Sequence, residues 1–438
     1  MKYLRSCWTR GFSNVLLLLT VFTLPISAQV TNFYVSPTGN DGNSGTSPGT
    51  AWQTMNHALA AFSLGSGGAV IHVADGTYSS NVSVNRGGSS PTARLVIQCD
   101  NGLASSSAAK GHCKFNASGA AWQLNSGSNF DIRGFDIGGN GNQFVAIDGV
   151  PCGPAGHSTC LDSVHIIGNY IHDMAQNISL DSSGCSPFGQ APGAILFLNH
   201  HGWYVNDAKF IGNTIINYGP MPNTACNTGP NGMYIDTQGA TVQNNLIARV
   251  YMFGLQYYGQ PCNATISNNT FISARYAMTV SGDGEGVCTK GNVTVNNNIS
   301  MAMVQGHFAA ISAFPCTDSS HQSYYGHNIT DGVGPDFVNS PATPCNTTSP
   351  NPLLHVSGAS VFVNYKTDGT GDYHLKAGSA AMFTGTTQCA PGMSSCVPIS
   401  DIAGILRPNI PSLGAFEIQN DSNASAPSAP SGLTATVQ

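Results

Sequence analysis

The sequence is poor in charged residues. Only 8% of its 438 residues are Asp, Glu, Lys or Arg, against roughly 25% in an average soluble domain. The formal net charge is −6, from 15 Lys and Arg against 21 Asp and Glu. A chain without a basic excess lacks the electrostatic footprint of a nucleic-acid-binding protein, so nucleic acid is excluded as a partner. A polyanionic ligand would need a local basic patch, and none is obvious.

Long apolar runs are also missing after the N-terminus. A basic start, the apolar stretch Val15–Leu24 and a small-residue cleavage site ending at Ala28 predict a signal peptide over residues 1–28. The alternative, a retained membrane anchor, is disfavoured because this stretch is shorter than the ~20 residues that span a bilayer. We therefore expect a secreted or cell-surface protein with no membrane span after cleavage.

Cysteine spacing of the CxxC type, which is typical of zinc sites, does not occur. Of the 13 cysteines, Cys7 lies in the signal, so an even number remains in the mature chain. An even count in an oxidising compartment predicts disulfides and no free thiol. Connectivity stays open, but sequence order suggests six local pairs: Cys99 with Cys113, Cys152 with Cys160, Cys185 with Cys226, Cys262 with Cys288, Cys316 with Cys345, and Cys389 with Cys396.

What the chain does have is a repeat. An apolar residue, two variable residues, Asn, one variable residue and another apolar residue recur at a spacing typical of solenoid repeats. Clear copies are Ile166/Asn169/Ile171, Phe210/Asn213/Ile215, Val242/Asn245/Ile247 and Ile266/Asn269/Phe271; weaker ones are Ile132/Phe135/Ile137 and Val295/Asn298/Ser300. Each coil can bury its apolar residues only by stacking on its neighbours. We therefore predict an all-β right-handed parallel β-helix over residues 29–418.

The repeated Asn would stack at one bend, because Asn tolerates left-handed backbone and stacked amides can hydrogen-bond to one another. Some of these Asn lie in glycosylation sequons, for example at Asn268 and Asn298, and the periodicity favours a structural ladder over a glycan. Thr54–Phe62 has apolar residues at helical spacing, so we expect a short N-terminal capping helix. The Ser- and Pro-rich residues 419–438 are interpreted as a linker.

Two motifs resemble those of pectate-lyase-like right-handed β-helix proteins, a group of secreted or surface bacterial proteins. Tyr34–Gly45 is similar to the opening motif YVSPxGxDxxxG, and Asp401–Glu417 is similar to the closing motif DxxGxxR…xxGAYE. The resemblance covers most of the chain and implies the architecture more than an activity. Separately, Pro427–Val437 resembles the first strand of a fibronectin type III domain, of which only this start is present.

A second strand set carries the candidate binding residues. Period-two alternation predicts that one set of side chains points outward on successive coils beside two long loops, Asp173–Gly193 and Asn217–Asn231. Aromatic and polar groups together suit sugar rings. The predicted substrate-binding residues are Tyr234, Gln256, Tyr258 and Thr279. An ordinary solvated sheet face is the alternative.

Candidate catalytic residues are Asp148, Asp236 and Lys290. Two aspartates two coils apart in one column would be roughly 9 to 10 Å apart, close to the 6.5–9.5 Å that separates the carboxyl groups of an inverting glycosidase. Two surface aspartates without a role would look the same. The resemblance implies a second chemistry, since lyases of this superfamily use a basic residue and often calcium; Lys290, with Asp283 and Glu285 nearby, is the best cluster for it.

The leading functional hypothesis is a carbohydrate-active protein, a polysaccharide lyase or hydrolase that binds its polymer along the solenoid face, with calcium as a possible cofactor. The competing hypothesis is a noncatalytic surface or adhesion module, which the low charge and the linker tail favour. A monomer is expected.

Overall fold

The computed structural model describes residues 29–116, 119–149, 161–178, 193–197, 207–220, 229–237, 239–259, 263–282, 292–309, 324–338, 354–390 and 392–418. In this part of the chain three parallel sheets, here named A, B and C in the order in which each coil visits them, form a right-handed parallel β-helix. The predicted fold class is confirmed.

The strands of each sheet follow one another in chain order and pair in parallel. Sheet A comprises Thr31–Val35, Ala69–Val73, Leu95–Cys99, Phe130–Arg133, Val164–Ile167, Lys209–Ile211, Thr241–Gln243, Thr265–Ser267, Thr294–Asn296 and Tyr324–Gly326. Sheet B comprises Thr77–Tyr78, Lys114–Phe115, Asp136–Gly138, Tyr170–Met174, Thr214–Tyr218, Leu246–Val250, Thr270–Ile272, Ile299–Met301, Ile329–Thr330 and Leu354–His355. Sheet C comprises Val82–Val84, Ala120–Leu124, Val145–Gly149, Gly193–Phe197, Asn231–Ile235, Phe253–Gly259, Tyr276–Gly282, Gly306–Ala309 and Phe337–Val338.

The core consists of inward columns, one from each sheet. The register aligns the predicted column of sheet A, and all of its members are buried: Ile132, Ile166, Phe210, Val242, Ile266 and Val295. Sheet C contributes a column of equally buried residues: Trp122, Ile147, Ile195, Met233, Leu255, Met278 and Phe308. Parallel stacking therefore gives each apolar side chain a partner in the coil above and below.

The predicted asparagine ladder is present at the bend between sheets A and B. Its members are Asn169, Asn213, Asn245, Asn269, Asn298 and Asn328, all buried. In a representative step, Asn245 Nδ2 donates to Asn269 Oδ1 at 2.9 Å and to Phe210 O at 2.8 Å. Its Oδ1 accepts from Asn213 N and Nδ2. The amides thus satisfy buried backbone groups that the turn leaves unpaired.

One detail of the bend differs from the prediction. The left-handed residue is not the ladder Asn but the residue before it, which is Gly168 (φ 63°) and Gly212 (φ 66°) in earlier coils and Asn244, Asn268 and Asn297 (φ 55–57°) in later ones. Gly and Asn tolerate this conformation best, so sequence and backbone still agree. The buried amide of Asn298 donates within the ladder, as the ladder interpretation requires. Asn268 is the left-handed residue before ladder residue Asn269, and its buried amide donates to Ser412 O.

The opening motif builds the N-terminal cap. Helix α1 comprises Met55–Ala61. Its N-cap is Thr54, whose Oγ1 accepts a hydrogen bond from His57 N. Asp41 of the motif accepts from the backbone N of both Gln53 and Thr54. The helix buries Met55, Ala58 and Leu59, so the predicted capping helix is confirmed and the motif residue has a structural role.

The C-terminal segment, residues 354–418, folds back over the outside of the last coils. It contains helix α3, Gly358–Val361, and an antiparallel pair of strands, Phe362–Asn364 and Asp372–Leu375. Outward residues of sheet B and residues of this segment form a second apolar core: Leu246, Ala248, Ile272, Ile299, Met301 and Ile329 against Val361, Phe362, Tyr373, Leu375, Ala381, Ile402, Leu413, Ala415 and Phe416.

The closing motif fixes this segment to the bend. Arg407 and Glu417 form a buried ion pair at 3.1 Å, and Arg407 Nη2 donates to Asn244 Oδ1. Asn268 Nδ2 donates to Ser412 O. The left-handed Asn residues therefore hold the segment with their side chains.

Two predicted disulfides are present, Cys99–Cys113 and Cys389–Cys396. The other four predicted pairs lie outside the described residues. A short helix, α2 (Ser106–Ala109), lies within the loop that the Cys99–Cys113 disulfide closes. No helix among the described residues has the length and apolarity to cross a bilayer.

Candidate functional site

The outward face of sheet C carries three of the four predicted binding residues, Tyr234, Gln256 and Thr279, in one column. The register aligns Tyr234 with Gln256 and Gln256 with Thr279, as alternation predicts. The same column runs back through Leu196 to Asp148. We name this set, Asp148, Leu196, Tyr234, Gln256 and Thr279, the sheet C column. Its alignment is confirmed, while its role in binding stays a prediction.

The expected exposure of this face is wrong for three predicted residues. Tyr234, Asp236 and Thr279 are only 7%, 4% and 5% exposed, whereas Gln256 is half-buried and accepts from Asn231 Nδ2 at 2.9 Å. Alternation specifies the side of the strand on which a residue lies, but not what covers that side. The backbone of Tyr258 lies opposite Ser281 at the end of its strand, and its side chain lies outside the described part.

Asp148 is the most distinctive ionisable group of this face. It is half-buried, and it forms no hydrogen bond or ion pair with any residue that the structure describes. Burial raises the pKa of its carboxyl above the ordinary value, since the charged form loses hydration and gains no partner. A perturbed carboxyl of this kind is typical of a functional site.

The predicted catalytic pair of Asp148 and Asp236 does not share a column. Asp148 aligns through Leu196 with Tyr234, so Asp236 lies two residues further along the strand direction. Two coils and two residues of offset place the Cα atoms roughly 12 Å apart. The expected distance of roughly 9 to 10 Å assumed a common column, and that assumption is wrong because it ignored the register.

Lys290, Asp283 and Glu285 lie outside the described residues. For a metal, the described residues bring together one group of possible ligands, Asp75 with Cys99 and Cys113. Both sulfurs belong to a disulfide, so they cannot act as thiolate ligands. Calcium stays an untested expectation.

Other aspartates of the solenoid have basic partners. On the outward face of sheet A, Asp131 is fully buried and contacts Arg94 at 2.6 Å, His165 at 3.0 Å, and Arg133. Burial alone would raise its pKa, but the His165 hydrogen bond and the two guanidinium charges outweigh burial and lower it to about 2. Asp148 lacks any such partner in the described residues.

The sequence reasoning missed a cleft on the outward face of sheet B. It has a volume of about 710 Å³ and lies between α2 and the C-terminal segment. Its walls come from residues far apart in sequence, Lys110 on one side and Asp372 on the other. No periodic signal connects such residues.

The fold and these sites define a parallel β-helix protein with polar and ionisable groups on its outer faces. No family model matches the chain, and no curated protein matches it. Among solved structures, it is similar to pectate lyase Pel9A with 15% identity over 90% of this chain and 98% of that chain, at a TM-score of 0.43. A rhamnogalacturonan lyase has 12% identity over 69% and 74%, at a TM-score of 0.38. The GH136 lacto-N-biosidase from Eubacterium ramulus has 10% identity over 74% and 68%, at a TM-score of 0.37. Sequence identities and TM-scores this low assign no activity to this chain. The fold described above rests on the strand pairing of this chain.

Proposed function

We propose that the protein is a secreted polysaccharide hydrolase that binds its polymer across the outward face of sheet C, with Asp148 as the proton donor. The observation that carries this proposal is the position of Asp148 on the sheet C column, where it is half-buried and forms no hydrogen bond or ion pair with any described residue, so that burial raises its pKa. A carboxyl that keeps its proton at higher pH can protonate the leaving oxygen of a glycosidic bond.

Hydrolysis is favoured over elimination for a chemical reason. Burial raises the pKa of the Asp148 carboxyl, which suits it to protonating a leaving oxygen in hydrolysis. Elimination instead begins with a base that removes a proton next to a carboxylate; the candidate base, Lys290, lies outside the described residues and supports neither reaction. Tyr234, Gln256 and Thr279 are proposed binding residues because they continue the column that begins at Asp148. Tyr258, two residues further along the same strand as Gln256, is proposed with them.

Secretion belongs to the same proposal. The basic and apolar N-terminal residues fit a signal peptide, and the disulfides Cys99–Cys113 and Cys389–Cys396 fit an oxidising compartment.

The second candidate function is a noncatalytic polysaccharide-binding module. The observation that favours it is the burial and offset of Asp236, which leaves Asp148 without an aligned second carboxyl in the sheet C column. Hydrolysis with either stereochemistry needs two carboxyl groups.

The test is cleavage by the Asp148→Asn variant on a panel of neutral and acidic polysaccharides. Reducing ends report hydrolysis, and absorbance at 235 nm reports elimination. We expect reducing ends from the wild type on at least one polymer and a loss of at least about 100-fold in the variant, which is the usual contribution of general acid catalysis. Asp100→Asn, which removes a carboxylate beside His72 on sheet A, is the matched control. Equal cleavage by wild type and Asp148→Asn would refute the role of Asp148, and polymer binding without cleavage would favour the module.

A further inference from the structure

The cleft on sheet B is a built cavity. Its floor consists of outward residues from three successive strands, Tyr170, Thr214, Ile216 and Leu246. Ser107 and Lys110 of the α2 region form one wall, and residues 368–374 with Phe416 form the other. The two wall segments, which are distant in sequence, therefore enclose a shallow pocket on the outward face of sheet B.

Both walls are fixed to the floor. Ser106 Oγ and Thr214 Oγ1 are 2.7 Å apart and buried, which attaches α2 to sheet B. On the other side, Gly369 has a φ of 83°, and a Cβ there would lie 2.8 Å from Ile216 Cγ2. Only glycine allows the loop to approach the sheet this closely. The cleft is thus preorganised.

Charges of both signs line the cleft and nearly balance. Lys110 and Arg249 face Asp173, Asp368 and Asp372. Burial opposes ionisation of Asp173, but hydrogen bonds from Asn217 and His172 and the charges of His172 and Arg249 outweigh it, so its pKa is lowered. Fixed charges of mixed sign disfavour a ligand of high charge and offer donors and acceptors to a neutral polar ligand.

Two groups on the cleft surface can donate hydrogen bonds to a ligand. The Tyr170 hydroxyl and Lys110 Nζ form no hydrogen bond or ion pair within the described residues, and Lys110 Nζ lies 5.5 Å from the centre of the Tyr170 ring. Burial and the charges of Asp173 and Asp136 raise the pKa of Tyr170 to about 12, so its hydroxyl stays a donor at neutral pH. With Phe416, the cleft combines aromatic surface and polar groups, as a sugar requires.

We propose that this cleft is a second binding site, separate from the sheet C column, and that it takes a neutral saccharide. A ligand there contacts both the solenoid and the C-terminal segment, so binding also stabilises the packing of that segment. The inference does not depend on Asp148, because it concerns another face of the solenoid.

The test uses the full mature chain with Asp148→Asn, so that no probe is cleaved. Cello-, xylo-, manno- and malto-hexaose are titrated by calorimetry. We expect saturable binding of at least one probe. We also expect Tyr170→Ala to weaken one binding component about tenfold or more through loss of ring and hydroxyl contacts. Ser107→Trp, at an exposed wall position, should block the same component.

The matched control is Tyr34→Ala. Tyr34 is half-buried and stacks on His72 of sheet A at 4.9 Å, as Tyr170 contacts His172 at 4.7 Å, but it lies far from the cleft. The proposal is overturned if no probe binds at millimolar concentration, or if Tyr170→Ala and Ser107→Trp bind like Tyr34→Ala. Failure of the hydrolase proposal is distinct, since cleavage by the wild type reports that separately.

Discussion

On the outward faces of sheets A and C, two buried or half-buried aspartates have carboxyl pKa values shifted in opposite directions. Asp131 on sheet A is enclosed by Arg94, Arg133 and His165, and its pKa falls to about 2. Asp148 on sheet C is half-buried without a partner among the described residues, and its pKa rises. The difference shows that burial raises the pKa of a carboxyl unless hydrogen bonds and counter-charges outweigh it. A half-buried carboxyl without a partner among the described residues is a candidate functional group.

The largest expected effect comes from breaking the sheet A cluster. Asp131→Ala leaves two guanidinium groups without their counter-charge, and removing one member of a buried ion pair costs about 3–5 kcal/mol in unfolding free energy. Urea unfolding measures this loss. The matched control is Asp100→Ala, because Asp100 is half exposed and pairs with His72 at 2.8 Å; such a surface pair contributes about 1 kcal/mol or less. Equal losses in both variants would contradict the account of Asp131.

Acid should weaken the same cluster. The lowered pKa means that Asp131 contributes stability above its unfolded-state pKa of ~3.9 and that this contribution is lost as pH falls towards 2. The stability difference between wild type and Asp131→Asn should be constant above pH ~5 and shrink by about 2 kcal/mol on the way to pH 2. Unfolding curves across this range test it, and a difference that grows on acidification would be the wrong sign.

The smallest effect on the free energy of unfolding is expected for Asp148→Asn, and its sign is opposite to that expected for Asp131→Asn. A raised pKa means that its contribution is present below pH ~3.9 and lost as pH rises. Near neutral pH the ionised carboxyl therefore lowers stability, and Asp148→Asn should unfold at a slightly higher urea concentration than the wild type. The gain should vanish in acid. A variant that is less stable at neutral pH would indicate a stabilising partner for Asp148.

Much of the fold could be predicted because the solenoid repeats itself. The column through Ile166 and Phe210 and the ladder through Asn169 and Asn213 repeat one local environment, and each copy strengthens the same signal. Ser300 shows how a copy can diverge: it occupies an inward position beside Phe271 and bonds to buried His307 at 2.7 Å. The weaker copy was still in register.

The sites could be predicted only in part. Alternation put Tyr234, Gln256 and Thr279 in one column, but the burial of Tyr234 and the offset of Asp236 depend on register and on neighbouring segments, which a single strand does not encode. The sheet B cleft was not predicted at all, because it forms between the C-terminal segment and α2. Residues as distant in sequence as Ser107 and Asp372 line the same cleft, and such an arrangement leaves no pattern in one sequence.

The most direct test of the central claim is the pKa of the Asp148 carboxyl itself. Protein labelled with ¹³C at the aspartate carboxyls can be titrated by NMR, with Asp148→Asn and Asp131→Asn used to assign the two signals. We predict that Asp148 titrates clearly above the ordinary value of ~3.9, while Asp131 titrates near 2. An Asp148 signal that titrates at or below the ordinary value would contradict its assignment as an unpaired proton donor.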